Sequence, residues 1–430
     1  MQFKQYPSYK NSGVEWLGDV PEHWGVNRLG VHFKNRKEKV SDKDFKPLSV
    51  TKHGIVPQLE HAAKSDNGDN RKLVRKGDYV INSRSDRKGS SGLADLDGSV
   101  SLINIVLTPF KTIHPKFSHY LLRSYLFQEE FYKYGHGIVA DLWTTNYEDM
   151  RNIHLALPSV SEQTQISNFL EQETTRIDTL IAKQEKLIEL LEEQRKSIIS
   201  HAVTKGLNPN APMKDSGVEW LGEVPNDWNL SRLDAVSKIV RGNSAFSKMD
   251  LLESGKYVAL QYGKTYKVNE INESFGSYVN QEFFKKSQIT EFGDIILIST
   301  SETLEDLGHS CFYARHDVGL IGGEQFLLKP KNQNFGKYIY YATKAFSSYL
   351  QRYATGLKVF RFNLDDLKKI YIPDISLVEQ QKIAEFLDKE TARIDISVLK
   401  QKSLIEKLKE YRASIISHAV TGKIDVREFY

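Results

Sequence analysis

The sequence predicts an α+β protein in which one unit is written twice: a mixed α/β domain followed by a long helix, then the same again. Three observations predict it. Residues 11–24 read NSGVEWLGDVPEHW and residues 215–228 read DSGVEWLGEVPNDW, while SIISHAVT stands at both 197–204 and 414–421. The segments before each SIISHAVT carry apolar residues at alternating spacings of four and three, the mark of a long paired helix. Between the repeated blocks lie short strand-like runs bounded by turn residues. Since the first repeat is offset by 204 residues and the second by 217, the material between the blocks differs in length.

In chain order, the first variable region offers strand-like runs at residues 26–33, Leu48–Thr51, Tyr79–Asn82, 103–107 and 153–157, with an aromatic helical stretch at 119–134. Its counterpart offers runs at 257–261, 294–298 and 326–328, then a helical stretch at 336–353. Faint echoes link the two, KGDYVIN at 76–82 with FGDIILI at 292–298 and VLTP at 106–109 with LLKP at 327–330, so one scaffold with different side chains is expected.

The helices are the best-marked elements. Ser159 with Glu162 and Ser376 with Glu379 have capping-box spacing, Pro158 and Pro373 lie upstream, and Gly206 and Gly422 fit the position just past each end. The first seam runs through Ile166, Leu170, Ile177, Leu187 and Leu191, and the second through Ile383, Leu387, Ile394, Leu404 and Leu408. Helices of this length would reach roughly 65 Å and need a partner for their seams, the other copy being the nearest candidate. Polar seam residues Glu173, Gln184, Gln194, Glu390, Gln401 and Tyr411 are read as fixing register. The expected domains are 1–158, a helix at 159–205, 206–375, and a helix with a tail at 376–430.

Composition narrows the function. With 40% apolar residues the chain can build cores, and its one cysteine, Cys311, excludes an internal disulfide or a multi-thiolate zinc site. The start MQFKQYPSYK lacks a signal peptide's apolar segment and no run of 18 apolar residues occurs, so a cytoplasmic protein is expected. Phosphate-cradling GxxxxGK[ST], dinucleotide GxGxxG, zinc HExxH and nucleophile GxSxG patterns are absent, and so is the Asn/Asp-Pro-Pro-aromatic motif of amino-methyltransferases. The expectation is a chain with no cofactor, no metal and no catalysis. His201 and His418, at equivalent places in the SIISHAVT blocks, read as imidazoles near helix C-termini rather than ligands. Trp16, Trp24, Trp220 and Trp228 read as packing plugs.

The net charge of +4 is small, but it is uneven: residues 1–160 hold 23 Lys and Arg against 18 acids, whereas residues 206–373 hold 20 against 19. The basic stretch 71–92 delivers Asn82, Arg84, Ser85, Arg87 and Lys88 on a glycine-bearing loop after a strand, residue types that read base edges or hold phosphate. The matching loop carries Thr300, Ser301 and Glu302, and an acid can accept from cytosine N4. Further candidates follow other strand ends: Thr51, Lys52 and His53 against Gln261, Tyr262 and Lys264, and Val139 and Thr144 against Lys358 and Arg361. Solvated hairpin tips and loop drift after duplication remain open readings of the same residues.

The doubled SGVEWLGxVPxxW block, each copy followed by a variable region and then by EQxxIxxFLxxET…RID…SIISHAVT, resembles the specificity subunits of Type I restriction–modification systems over essentially the whole chain. The resemblance implies two target recognition domains separated by two long antiparallel coiled-coil helices related by an internal pseudo-two-fold. Each domain would read one half of a split, asymmetric double-stranded DNA site, and the helices would space them and dock two methyltransferase subunits. Restriction translocase–endonuclease subunits would complete the complex, and methylation and cleavage would belong to the partners. The competing reading is a non-catalytic coiled-coil scaffold with two peptide- or ligand-binding modules, which steep salt dependence of duplex binding would set apart. An enzyme with no known motif in its variable domains is a third.

Overall fold

The computed structural model describes residues 3–60, 68–137, 143–243, 246–331 and 336–429. The chain divides into two compact units, Met1–Gln184 with Lys402–Tyr430, and Glu185–Gln401. Both long helices form, Val160–Lys205 and Leu377–Val420, and each is shared between the units. Each unit thus owns a variable region together with part of both helices.

In the first unit the repeated block folds into a hairpin, Tyr9–Asn11 against Asp19–Pro21. Its turn needs left-handed backbone, which Gly13 (φ 70°) and Gly18 (φ 59°) supply. A four-stranded sheet follows in the order Ser91–Leu93, Tyr79–Asn82, Asn104–Pro109, Phe33–Asn35, with a three-stranded sheet of Gly98–Val100, Arg71–Val74 and Lys39–Val40. The expected single helix over 119–134 is two, Pro115–Arg123 and Tyr125–Lys133. Ser124 breaks it, because its hydroxyl caps the second helix by accepting from the Phe127 amide at 3.4 Å and donates to the Leu121 carbonyl at 2.7 Å.

The second unit repeats the hairpin as Met213–Asp215 against Glu223–Pro225. Its main sheet runs Ser237–Arg241, Gln325–Pro330, Ile295–Ile298, Ser310–Tyr313, Glu270–Ile271. The strands Tyr79–Asn82 and Ile295–Ile298, and Asn104–Pro109 and Gln325–Pro330, fall on the faint sequence echoes and pair antiparallel in the same way. Cys311 is buried in this sheet, and burial pushes its thiol up to about 12, so it is an inert packing residue.

Within each unit the helix segments run antiparallel. In the first, Asp178 lies against Arg412, and the tail beyond the second helix brings Phe429 against Phe169. In the second, Arg195 pairs with Asp395, while Gly206 and Glu379 both approach Trp228. Ile166, Leu170, Ile177, Ile383, Leu387 and Ile394 are buried as the seam predicts. Two seam positions are not: Leu187 is 39% exposed and Leu404 41%. The inward stripe passes instead through Ile188, half-buried, and Ile405, 6% exposed, and Leu191 and Leu408 are half-buried. A straight α-helix drifts by ~20° per heptad from a 3.5-residue repeat, so the stripe moves on by one residue along a helix this long. Among the seam polars, Glu173 and Glu390 pair with Arg176 and Arg393 of their own helices, Gln184 and Gln401 are half-buried, and Gln194 and Tyr411 are exposed.

Helix ends obey the capping logic in part. The Glu162 amide donates to the Ser159 hydroxyl and the Glu379 amide to the Ser376 hydroxyl, both at 3.3 Å. The reciprocal half of each box is replaced, because the glutamates are drawn elsewhere. Glu162, almost fully buried, accepts from the Tyr6 hydroxyl (2.9 Å) and the Trp24 indole (3.2 Å) and meets His23 Nε2 (2.9 Å); Glu379 accepts from the Trp228 indole (3.2 Å). At the far ends, Gly422 (φ 72°) closes a Schellman motif, with the Lys423 amide on the His418 carbonyl (2.8 Å) and the Gly422 amide on Ala419 (3.4 Å). Gly206 (φ 74°) makes the simpler single bond to Ala202 (3.2 Å).

The plugs are Trp24 and Trp228, buried to 0% and 2%, while Trp16 and Trp220 are half-buried against Phe127 and Phe346. The tail returns to the N-terminal block: the Asp425 amide donates to the Lys4 carbonyl at 2.8 Å, and Val426 and Ile424 share a core with Trp16. His201 and His418 are exposed near the helix ends, and among the described residues no group of three His, Cys, Asp or Glu could hold a metal. No described helix is long and apolar enough to cross a membrane.

Candidate nucleic-acid interface

The structure joins two of the three predicted surfaces into one in each unit. In the first, the strand Tyr79–Asn82 ends in a loop folded by its own polar atoms: the Arg84 amide donates to Asn82 Oδ1 at 3.1 Å. That loop is stitched to Thr144, since Arg84 and Thr144 form a bridge, the Ser85 amide donates to the Trp143 carbonyl (2.9 Å) and the Thr145 amide to Ser83 (3.0 Å). In the second unit Thr300–Ser301 pairs with Phe360–Arg361, Thr300 facing Arg361, and the Thr355 and Arg361 backbones close the hairpin that carries exposed Lys358. Loops some 60 residues apart in sequence therefore meet at the same place in both units. Val139 lies outside the described residues.

Side chains on this shared frame differ. Arg84 and Arg87 flank Asp86 at 3.0 and 3.6 Å, and Lys88 pairs with Glu129 and lies 5.9 Å from the Tyr132 ring centre. Two of the loop's three positive charges are thus offset locally, which leaves oriented guanidinium edges rather than a uniform positive coat. On the second unit, Glu302 and Arg361 are exposed and Thr300 is half-buried. Ser301 is a correction to the exposed loop expected from sequence: it is 2% exposed, and its hydroxyl accepts from the Thr303 amide at 3.2 Å. The strand beneath needs that turn closed, so Ser301 shapes the loop.

The remaining pair of strand ends diverges in structure as well as sequence. Thr51 closes a tight hairpin by donating to the Gly54 carbonyl and accepting from the His53 amide, both at 3.0 Å, with Gly54 at φ 121° and Lys52 and His53 exposed at the tip. Gln261 instead starts a helical turn, Tyr262–Thr265, in which Tyr262 stacks on Tyr266 at 5.6 Å and Lys264 is exposed. Arg123 is a residue that sequence reasoning missed. Its guanidinium donates to the Ser91 (2.7 Å) and Lys52 (2.5 Å) carbonyls and so ties the 51–54 hairpin to the helix Pro115–Arg123. Only its lone basic character at a helix end could have drawn attention to it.

Similarity to known proteins agrees with this geometry. A family model described as Type I restriction modification DNA specificity domain matches residues 225–407. A Methanocaldococcus jannaschii chain provisionally named the type I restriction enzyme MjaX specificity subunit is 27% identical over 99% of this chain and 99% of its own. The EcoKI specificity subunit of Escherichia coli (strain K12) is 24% identical over 47% of this chain and 44% of its own. Two solved structures share the fold. One, from work on complex assembly and conformational transition of the type I R-M system, has a TM-score of 0.70 at 17% identity, over 93% of this chain and 98% of its own. The other, the HsdS subunit from Thermoanaerobacter tengcongensis, has a TM-score of 0.54 at 18% identity, over 94% and 98%. A duplicated frame with divergent strand-end loops, a sequence likeness that runs the length of the chain and a shared fold lead to one conclusion: this chain is similar to the specificity subunits of type I restriction–modification systems.

Proposed function

We propose that the two variable regions, 1–158 and 206–375, are target recognition domains, each reading one half of a bipartite, asymmetric double-stranded DNA site. The long helices set the gap between half-sites and dock two methyltransferase subunits; translocase–endonuclease subunits join them, and the chemistry belongs to those partners. One observation carries the reading: a common frame presents Arg84, Asp86, Arg87 and Thr144 in one unit and Thr300, Glu302 and Arg361 in the other. Equivalent backbone with unlike donors and acceptors suits two different half-sites, because base edges are told apart by donor and acceptor pattern.

The test is methylome sequencing of a host expressing this chain with its methyltransferase. Exchanging residues 26–156 for those of another specificity subunit should change one half-site and leave the other. Inserting one heptad after Gln184, matched by one after Gln401, should change the gap but neither half-site. Change in both half-sites after the exchange would overturn independent reading, and an unchanged gap would overturn the ruler. Duplex binding without steep salt dependence would favour the scaffold reading instead.

A further inference from the structure

Each unit holds a cavity where its variable-region helix meets the two long helices. The first, about 650 Å³, is lined by Lys52, His119, Arg123, Asp178, Lys409 and Arg412 among others. The second, about 680 Å³, occupies the equivalent place: the repeat offset carries Asp178 to Asp395, Arg412 to Arg195 and Lys409 to Glu192. An arginine–aspartate pair crosses each, Arg412 with Asp178 at 2.9 Å and Arg195 with Asp395 at 2.5 Å.

Duplication kept the geometry and inverted the charge. In the second cavity Arg195 meets a further carboxylate, Glu192 at 3.0 Å, and five carboxylates line the walls against four cations. In the first, the place of Glu192 is held by Lys409, and four cations face Asp178 as the one carboxylate of the lining. His119 adds no charge, since its Nδ1 accepts from the Leu93 amide at 3.2 Å and the ring is held neutral. Arg123 has two of its nitrogens on carbonyls, and Lys52, exposed, lies on the hairpin that Arg123 ties down. An open cavity with this excess of cations, continuous with a candidate reading hairpin, is suited to an anion.

We propose that this first cavity seats a backbone phosphate of duplex DNA, held by Lys409 and Arg412 of the second long helix together with Lys52. The proposal rests on the DNA-reading function above and deepens it. The long helix contributes to DNA affinity as well as to spacing, and it does so in one unit only. The contact is independent of sequence, as phosphate contacts are.

The test measures duplex affinity of the full chain against salt concentration, on a duplex that contains the methylated motif and on one that lacks it. Releasing one phosphate contact lowers the log–log slope by about 0.9. The double substitution K409Q/R412Q should lower it by that amount on both duplexes, with the methylation motif unchanged in the assembled complex. R195Q, at the equivalent position of the second cavity, should leave the slope intact. D178N breaks the same ion pair as R412Q but keeps the cation, and should hold or steepen the slope. Inorganic phosphate at matched ionic strength should compete no better than chloride. A slope that K409Q/R412Q leaves unchanged, or that R195Q and D178N lower equally, overturns the site while leaving the DNA-reading function standing. A wild-type slope near zero overturns that function and this site with it. Phosphate-specific competition that the double substitution abolishes would make the ligand a free anion, and the backbone assignment would fall.

Discussion

Replacing Glu162 by alanine should destabilise the protein far more than the same change at Glu379, although the two glutamates occupy equivalent places. Glu162 accepts from Tyr6 and Trp24, whose rings are 4% and 0% exposed, and also meets His23. Its removal strands two buried donors, each costing about 1–3 kcal/mol when left unpaired, so about 2–6 kcal/mol is expected. His23 is half in water and adds little. Among the described residues Glu379 accepts from Trp228 alone, because the repeat offset places Asn210 and Asp227 where Tyr6 and His23 stand. One stranded donor there costs about 1–3 kcal/mol. Equilibrium urea unfolding of the full chain, followed by tryptophan fluorescence, reads both. Glu162→Gln, which keeps an acceptor oxygen and the volume, should recover part of the loss. Equal shifts for Glu162→Ala and Glu379→Ala would refute the reasoning, since the count of buried donors would then not set the cost.

Other perturbations have equally definite outcomes. Burial holds His119 and His309 at about 4, against an ordinary value of 6.5, His119 with help from Arg123 and Arg412. Both rings are neutral in the fold and become charged on unfolding below pH 6.5. Their contribution, up to about 3 kcal/mol each, is therefore complete above pH 6.5 and lost as pH falls towards 4. Urea midpoints taken between pH 7.5 and 4.5 should show the loss, and His119→Gln should flatten it. Ile177→Ala, at a fully buried seam position, should cost about 2–5 kcal/mol, whereas Leu187→Ala should stay within about 0.5 kcal/mol in the same assay. Gly422→Ala would set a Cβ 2.4 Å from Pro21 Cδ at φ 72°, but at Gly217 (φ 69°) nothing lies within 4 Å. The first should lower thermal stability by several degrees more than the second, because only there does a clash add to the backbone strain.

What the sequence disclosed and what it hid follow from the range of the interactions involved. Helix caps, end glycines and the strands Leu48–Thr51 and Tyr79–Asn82 are local, and they stand where spacing and propensity place them. The exposure of Leu187 and Leu404 was hidden because a heptad template does not carry the slow drift of a straight helix. Ser124 splitting a helix was hidden for another reason: a serine inside an apolar period reads as tolerated until its hydroxyl finds the Phe127 amide. The candidate interface was half legible. Strand-end residues could be named from position, but the joining of Arg84 to Thr144 and of Thr300 to Arg361 depends on long-range pairing. Ser301 was misjudged because burial at a strand end is decided by the opposite loop.

The two units show which parts of a duplicated protein are free to change. Trp24 with Glu162 and Trp228 with Glu379 keep one joint between hairpin and helix, and the arginine–aspartate pairs at 178 and 395 keep one joint between helices. Such joints fix the angle at which each variable region leaves its helices, so altering one would move every loop that the region carries. Loops at strand ends bear no such burden, and there the same frame carries an exposed basic run in one unit and an acidic run in the other. The cavity beside each joint lies between these extremes: its arginine is held by an aspartate across the helices, while its neighbour can be Lys409 in one unit and Glu192 in the other. A weak overall charge of +4 is then no obstacle to holding DNA. On the proposed reading, local sign at a few anchored positions decides where phosphate is gripped, and the divergent loops decide which bases are read.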